Sequence, residues 1–458
     1  MFIALALLVT GGLVDWYESR DVVTGAHGPF PAAFAAEAPV APEHVVRRAG
    51  GEQALVHGLS LRWTDSGMAA MNLRTGKEYW RYERRDSNDS AVWSFGMSER
   101  TVVARFTDGK LVALDLRTGK PLWHAEIRAG DRHRSVELVG GRAVTEDPGA
   151  VRAFDERSGR SLWTVNTPES CPEVFLHSVH TPPNHLSAVH VMCNASGRYD
   201  RDEYGLLLGV DNRTGETLWQ QRTADPELTA WSDGHTLVAP DPDHPRTVQL
   251  LGMDRQRISV RATLPPDEWD VVAAGGGTVL SGTHPKNGSE DHDTLLRAYD
   301  TRDEHPSWQM RPPTGQEYGR PRTADGRVYV VRQPFLTAAD AGRRIHADLL
   351  VLDAGTGHLL HSLRLPAMTV PDDSDDFEKL NVLDTADGAV GIGWRDGSGD
   401  MLIATGGPPP PAPRPLRLQM GVPGTHAVGV AASAGTRFGA SDQGAVSRRR
   451  VAYTRRNG

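Results

Sequence analysis

Short apolar-rich runs recur along the chain, and each ends at an acidic or amide residue that opens a polar turn. A second run containing tryptophan then follows the turn. The stretch LVALDLRTGKPLWHAEI, residues 111–127, shows the whole pattern. Apolar and polar positions alternate on both sides of the turn, which is typical of half-buried strands rather than of helices. Each unit therefore predicts a β-hairpin.

The hairpin carries a three-residue signature, with Asp or Asn followed by Gly four residues later and by Trp after four more. Four copies keep all three positions: Asn72, Gly76 and Trp80; Asp115, Gly119 and Trp123; Asp155, Gly159 and Trp163; Asp211, Gly215 and Trp219. Weaker copies hold Asp300 and Trp308 without the Gly, Asp353 and Gly357 with His361 at the Trp position, and Asp254 alone. Two more candidates keep little beyond a preceding strand pattern, one ending at Thr405 and one at residues 444–458.

The signature is first a device for making a turn. An Asp side chain accepts hydrogen bonds from backbone amides two residues on, and Gly reaches the left-handed conformation of many hairpin loops. The Trp on the returning strand buries on the order of 200 Å² against a neighbouring unit. A further strand pattern precedes each signature, as at residues 101–106. The units of about 40 to 56 residues thus predict four strands each, the size of a propeller blade.

Counting the signatures predicts the number of blades. Nine positions, near residues 72, 115, 155, 211, 254, 300, 353, 405 and 450, leave room for eight blades with a closing blade shared by both ends of the chain. Seven blades are the alternative. The fold class is therefore an all-β propeller of four-stranded blades.

The segments ALDLRTGKPLW, AFDERSGRSLW and GVDNRTGETLW resemble the pyrroloquinoline quinone (PQQ) repeat of eight-bladed propellers. That superfamily includes quinoprotein alcohol dehydrogenases, the BamB-type scaffold of outer-membrane protein assembly and sensor domains of some bacterial kinases. The resemblance covers about Val46 to Thr405. It implies the fold but does not choose among these functions, because one architecture hosts many activities.

The ends of the chain differ from the repeats. We predict an apolar membrane anchor or truncated signal segment at 1–20, a linker at 21–45, the propeller at 46–405, a proline-rich spacer at 406–416, and an eroded last blade with a basic tail at 417–458. The apolar start is shorter than the roughly 20 residues that span a bilayer, and it lacks a basic n-region. An uncleaved anchor is favoured over a signal peptide. The tail is either solvated or a basic patch for anionic lipid.

Charge and cysteine usage indicate the compartment. The net charge of -8 argues against nucleic acid as a partner. Cys171 and Cys193 flank two extended runs around a turn at Pro182 and Pro183, and a hairpin there would place the cysteines opposite each other. We predict a disulfide, with two buried free thiols as the alternative. A disulfide implies an oxidising compartment outside the cytoplasm.

Motifs for catalysis are scarce in the sequence. The resemblance to quinoprotein dehydrogenases implies PQQ, Ca²⁺ and a vicinal cysteine pair, yet the two cysteines of this chain are not adjacent. The acidic stretch at 371–379 lacks the Gly and the spacing of a calcium loop, which favours a solvated loop. Zinc, hydrolase, kinase and phosphate-loop motifs are missing as well. We expect no cofactor and no catalysis, and a PQQ- or metal-dependent oxidoreductase is the alternative.

Loop lengths predict where a partner binds. The loop between the second and third strands of a unit is short at TDG, residues 107–109, and at DPG, residues 147–149. It lengthens at 193–205, 240–246, 283–293 and 333–347. Insertions at one position of a repeat fall on one face, which is often the binding face, although drift of solvent loops is the alternative.

The residues of these long loops give a candidate binding rim: Tyr204, His244, His292, Arg344 and His346. The predicted function is a non-catalytic, extracytoplasmic, membrane-tethered propeller that binds a protein or cell-envelope ligand as a scaffold. The alternatives are the quinoprotein-type oxidoreductase and a sensor partner of a membrane signalling protein.

Overall fold

The structure is a computed structural model, in which the chain divides into two compact units, Met1–Pro410 and Pro411–Gly458. It describes residues 21–34, 45–49, 53–64, 66–85, 91–128, 135–171, 173–177, 186–193, 204–223, 231–232, 236–240, 247–253, 257–264, 270–275, 277–282, 295–301, 305–371, 379–394 and 400–405. All of them lie in the first unit. The predicted segments at 1–20 and 406–458 lie outside the described residues. Among the described helices, none is both long and apolar enough to cross a bilayer.

The described chain is built from strands, with one short 3-10 helix at Ala338–Asp340. In chain order the strands are β1 Val22–Thr24, β2 Val45–Ala49, β3 Gln53–Val56, β4 Leu59–Trp63, β5 Gly67–Asn72, β6 Glu78–Glu83, β7 Val92–Met97, β8 Thr101–Phe106, β9 Lys110–Asp115, β10 Pro121–Glu126, β11 Val136–Val139, β12 Arg142–Asp147, β13 Ala150–Asp155, β14 Ser161–Asn166, β15 Glu173–His177, β16 Leu186–Cys193, β17 Tyr204–Asp211, β18 Thr217–Thr223, β19 Trp231–Ser232, β20 Thr236–Pro240, β21 Val248–Met253, β22 Ile258–Leu264, β23 Asp270–Gly275, β24 Thr278–Gly282, β25 Leu296–Asp300, β26 Pro306–Met310, β27 Gln316–Tyr318, β28 Arg322–Ala324, β29 Arg327–Pro334, β30 Arg344–Ile345, β31 Asp348–Asp353, β32 Leu359–Arg364, β33 Met368–Thr369, β34 Leu380–Ala386, β35 Ala389–Trp394 and β36 Asp400–Thr405.

These strands form eight antiparallel blades. Blade 1 is β3–β6 with β1 added at its outer edge, and blades 2 to 6 are β7–β10, β11–β14, β15–β18, β19–β22 and β23–β26. Blade 7 is β27, β29, β31 and β32, with β28 beside β29, and blade 8 is β34–β36 closed by β2. Val46 of β2 pairs with Ile403 of β36, so both ends of the described chain share the last blade. This confirms the predicted all-β propeller of four-stranded blades.

Hydrophobic packing closes the blades into a ring. Each of eight buried clusters joins two consecutive blades. Val103 of blade 2 meets Ala143 of blade 3 in one of them. In the last, Leu55 of blade 1 meets Ile403 of blade 8. Because blade 8 packs against blade 1, the propeller has eight blades and the seven-bladed alternative is wrong.

Packing between neighbours also explains the burial of individual strands. A central strand has a blade on each side of its sheet, and all six residues of β8 are buried. The outer strand β10 alternates instead, with Trp123 buried between the exposed Leu122 and His124. First strands of successive blades contact each other, as β7 with β11 and β19 with β23, so this strand lies on the inside of the ring.

The signature turns join the third and fourth strands of a blade. In blade 2 the hydroxyl of Thr118 donates to Asp115 Oδ1 at 2.8 Å, and the amide of Gly119 donates to the carbonyl oxygen of Asp115 at 2.8 Å. Gly119 has φ = 67°, in the left-handed region that favours glycine. In blade 3 the hydroxyl and amide of Ser158 bond to Asp155 and lower the pKa of its carboxyl group.

The signature tryptophans connect consecutive blades. Trp80 of blade 1 donates its indole N–H to the carbonyl oxygen of Leu116 in blade 2 at 2.8 Å, and its ring lies against Gly119. The same arrangement recurs for Trp123 with Gly159, Trp163 with Gly215, and Trp308 with Gly357. Each Trp therefore docks on the turn of the following blade.

The segment before blade 1, which the sequence assigns to a linker, packs onto the ring. Val23 of β1 pairs with Tyr82 of β6, which covers the outer edge of blade 1. Further along, the amide of Phe34 donates to the carbonyl oxygen of Asp387 in blade 8 at 3.1 Å. Residues 21–34 thus contact both blades that meet at the closure.

Candidate functional site

Strand direction divides the propeller into two faces. Antiparallel strands place the connections between second and third strands of every blade at one end, which we call the loop face. Residues 107–109, 148–149 and 335–347 lie there. The signature turns lie at the opposite end, the turn face. Because the Asp and Gly residues of the turn face are engaged in turn formation and Trp docking, the loop face is the better candidate for binding a partner.

The structure places three of the five predicted rim residues. Tyr204 begins β17 in blade 4 and is half-buried, with the guanidinium of Arg222 4.0 Å from its ring centroid. Arg344 and His346 are exposed in the insertion of blade 7. His244 and His292 lie outside the described residues. All three placed residues belong to the loop face, but blades 5 and 6 separate Tyr204 from Arg344 along the ring.

The insertion of blade 7, residues 335–347, is anchored at several points. Its 3-10 helix is followed by β30, in which Arg344 pairs with Thr369 of β33 to form a small two-stranded sheet. Asp340 accepts hydrogen bonds from the amide and hydroxyl of Thr337, both at 2.9 Å, and from Arg343 at 2.8 Å. These bonds lower the pKa of the Asp340 carboxyl group. The exposed groups of the insertion are therefore presented on an ordered backbone, which reduces the entropy lost on binding.

The loop face also contains a cleft between blades 2 and 3, with a volume of about 500 Å³. Its lining consists of residues 126–128, 147–150, Arg152, Thr164 and Asn166. Sequence reasoning missed this site, since the short DPG turn at 147–149 gave no sign of an insertion. The cleft and the insertion of blade 7 are separate features of the same face.

Hydrogen bonds fix the floor of the cleft. Asp147 is almost fully buried, accepts the backbone N–H of Arg128 at 3.2 Å and lies 3.5 Å from Nη1 of Arg152. The neighbouring Glu146 is 1% exposed and accepts the backbone amide of Ser135 at 3.0 Å. Arg105 of blade 2, 3% exposed, donates to the carbonyl oxygen of Glu146 at 2.7 Å. The two blades are thus tied together beneath the cleft.

The two cysteines are bonded to each other in blade 4, which confirms the predicted disulfide. Cys193 ends β16, whereas Cys171 lies just before β15, and the ladder pairs Glu173 with Met192. Both cysteines are fully buried.

This bond bears on the cofactor that the resemblance implies. The chain has only these two cysteines, so it has no vicinal pair to lie against a quinone, and in this respect it does not fit PQQ. In the part of the chain that the structure describes, no group of three or more His, Cys, Asp or Glu side chains is arranged to hold a metal ion.

Comparison with known proteins places the chain in a family. The model of the family described as outer membrane protein assembly factor BamB matches residues 32–148, 147–256 and 205–398. The chain belongs to this family. The match spans most of the sequence and confirms the resemblance to the PQQ-like repeat propellers. No curated protein matches the chain significantly.

Several solved structures are similar to this chain at low sequence identity. BamB from Moraxella catarrhalis is 14% identical, with 79% of this chain and 98% of that chain covered and a TM-score of 0.47. Quinohemoprotein alcohol dehydrogenase from Comamonas testosteroni is 14% identical over 86% and 77% of the two chains, with a TM-score of 0.44. A europium-containing methanol dehydrogenase is 12% identical over 83% and 84%, also with a TM-score of 0.44.

Proposed function

We propose that this member of the BamB family is a non-catalytic, extracytoplasmic scaffold that binds a protein of the cell envelope through its loop face. The family description, an assembly factor for outer membrane proteins, supports a protein partner. The buried disulfide supports a compartment outside the cytoplasm, because such bonds persist in oxidising environments. In this proposal the apolar residues 1–20 tether the propeller to a membrane.

The observation that carries the proposal is the contrast between the two faces. The loop face presents the anchored insertion of blade 7 with exposed Arg344 and His346, together with the cleft between blades 2 and 3. The turn face uses its Gly residues and a backbone carbonyl of each turn to receive the tryptophans of neighbouring blades. A partner that binds the loop face leaves the contacts that hold the ring together untouched.

Site-specific photo-crosslinking in the native cell tests the proposal. A benzophenone amino acid replaces His346 on the loop face, and the matched control replaces Ser158, which is exposed on the turn face. We expect a discrete crosslinked envelope protein from position 346 and none from position 158. Equal crosslinking from both positions, or crosslinks from position 158 alone, would contradict the assignment of the binding face.

A second experiment tests the absence of catalysis. Purified protein is mixed with PQQ and Ca²⁺, and its quinone absorbance and its reduction of an artificial electron acceptor in the presence of alcohols are recorded. We expect no stoichiometric quinone band and no reduction above the rate of free PQQ. Alcohol-dependent reduction by the reconstituted protein would overturn the scaffold proposal in favour of the oxidoreductase alternative.

A further inference from the structure

The interface that holds the cleft, between blades 2 and 3, differs from the equivalent interface between blades 1 and 2. In both interfaces a signature Trp fills the half near the turn face. Two residues after that Trp, blade 1 has the fully buried Tyr82, whereas blade 2 has Ala125. Tyr82 fills the half of the first interface that lies near the loop face. In the second interface Ala125 packs on the buried cluster that joins the two blades, and the cleft opens beside it, lined by Ile127, Arg128 and Ala150.

On the facing strand of blade 3, a larger charged side chain stands where blade 2 has a smaller apolar one. Three residues before the signature Asp, blade 2 has the buried Val112 and blade 3 has Arg152. Strand alternation places Arg152 on the same face as Phe154, over whose ring its guanidinium lies at 5.3 Å from the centroid. Arg152 pairs across the strands with Thr164, and Ala150 with Asn166. A polar wall thus replaces an apolar one.

The wall is rich in hydrogen-bond donors that the described residues do not use. Arg152 makes one long ion pair, 3.5 Å from Nη1 to Asp147, although a guanidinium has five N–H donors. The side chains of Arg128, Thr164 and Asn166 have no hydrogen-bond partner among the residues that the structure describes. The buried acceptor Asp147 already receives the amide of Arg128. The cleft therefore offers unused donors and one net positive charge, because Asp147 offsets one of its two arginines.

Glu126, the second acidic residue of the lining after Asp147, does not offset the remaining positive charge. Glu126 follows His124 on β10, and alternation turns both side chains to the face of the blade away from Trp123 and blade 3. Its cross-strand neighbour there is Lys110, an opposite charge on the adjacent strand. Arg128 and Arg152 remain as the cations of the cleft, and Arg recognises carboxylates through paired N–H groups.

We propose that the cleft binds a carboxylate of an acidic peptide segment in a partner protein, with Arg152 and Arg128 as its cationic ligands and Thr164 and Asn166 as neutral donors. The volume of about 500 Å³ accommodates one or two side chains rather than a folded element. This assignment deepens the proposed function and rests on it, because it states the chemistry of a protein partner on the loop face.

The test uses the purified full chain and fluorescent tetra-glutamate and tetra-glutamine peptides at low ionic strength, with binding followed by anisotropy. We expect the glutamate peptide to bind and the glutamine peptide not to bind. Arg152→Gln weakens binding by about tenfold, since a hydrogen-bonded charge contact is lost. Ala125→Tyr, which rebuilds the filled interface of blades 1 and 2, abolishes binding. Arg157→Gln, an exposed change on the turn face, leaves the affinity unchanged.

Several results would overturn the proposal. These are no binding of the glutamate peptide to the wild-type chain, equal affinity of wild type and Arg152→Gln, or equal affinity for the two peptides. Binding of inorganic phosphate without binding of the peptide would assign the cleft to a free anion instead. Thermal unfolding is measured for every variant, and Arg152→Gln remains decisive if Ala125→Tyr does not fold.

Failure of the cleft assignment is distinguishable from failure of the proposed function. If position 346 crosslinks to a partner while Arg152→Gln binds the peptide normally, the scaffold function is kept and the cleft assignment is rejected. Alcohol-dependent reduction by the reconstituted protein rejects the scaffold function, while peptide binding by the cleft is still measured directly.

Discussion

Trp163 of blade 3 lies so close to Gly215 of blade 4 that a Cβ added to the glycine would be 2.7 Å from Cγ of the indole. The same indole donates its N–H to the carbonyl oxygen of Asn212 at 2.8 Å. One side chain therefore both packs on the next turn and bonds to it. The contact requires glycine for two reasons, because φ at Gly215 is also 74°.

The first prediction separates those two reasons. Gly215→Ala should lower the free energy of unfolding by about 2 kcal/mol or more, because it adds a clash with Trp163 to the cost of a positive φ. The matched control is Gly141→Ala, at φ = 77° with no atom within 4 Å of the added Cβ, where about 1 kcal/mol is expected. Urea unfolding followed by tryptophan fluorescence measures both. Equal losses of stability in the two variants would show that the Trp163 indole moves aside from the added methyl group at no cost in free energy.

The second prediction concerns the indole hydrogen bond. Trp80→Phe removes the bond to the carbonyl oxygen of Leu116 and leaves space in a fully buried position, so a loss of about 2 to 3 kcal/mol is expected. Trp93, which is 36% exposed, is the control, and Trp93→Phe should change stability by less than about 0.5 kcal/mol. Similar thermal midpoints for the two variants would argue against a special role for the docked tryptophan.

The third prediction concerns the disulfide of blade 4, which closes a loop of 22 residues. Replacing Cys171 and Cys193 together by alanine should destabilise the protein by about 3 kcal/mol, since the unfolded chain regains the entropy of that loop. Reduction of the wild type should lower its thermal midpoint and leave the double variant unaffected. Full alkylation of both thiols in protein exported to an oxidising compartment would contradict the bond.

The fourth prediction is a pH dependence in blade 7. Burial raises the pKa of Asp348, but hydrogen bonds from Arg332 at 2.9 Å and Arg364 at 3.0 Å outweigh it, so the pKa lies below its ordinary value. Such a group stabilises the fold above its unfolded pKa of about 3.9, and that stability is lost as pH falls through the folded pKa. Asp348→Asn should cost about 1 kcal/mol at neutral pH, and the cost should vanish in acid. A cost that stays constant down to acid pH would exclude the ionised pair as its source.

The fifth prediction has the opposite sign. Burial raises the pKa of Asp384, against the hydrogen bonds from the amides of Leu55, at 2.7 Å, and Thr385. The folded state then holds this proton more tightly than the unfolded state, so stability falls as pH rises through the interval between the two pKa values. The stability of Asp384→Asn relative to the wild type should therefore increase with pH above about 4. Parallel pH profiles for the two proteins would contradict the raised pKa.

The repeat made the propeller predictable, because each signature specifies both a turn and the contact of its Trp with the following blade. One exception, the missing Trp of blade 7, follows from the closure. Blade 8 joins β36 to β2, which come from opposite ends of the described chain, so it has no signature turn to receive a Trp from blade 7. His361, exposed on β32, occupies that position. The sequence shows this substitution but not its reason.

The candidate site was less accessible to sequence reasoning. Loop length predicted a binding face, yet the interface beside the cleft has Ala125 where the preceding interface has Tyr82, a difference in volume inside a packed region. Alignment of the repeats on their tryptophans would have revealed it. The packing of residues 21–34 onto blades 1 and 8 depends on long-range contacts that no local pattern encodes.

The pairing of Val45–Ala49 with Asp400–Thr405 has a consequence for biosynthesis. The strand Val45–Ala49 has to wait for its neighbour until some 350 further residues have left the ribosome. Until then its edge remains open, and unpaired edges invite intermolecular pairing. Such distant pairings also slow folding, because the entropy of closing a long loop is spent before its contacts form. The edge of this strand is therefore covered only when the last blade is complete, which makes the final residues of the propeller a safeguard against association with other chains.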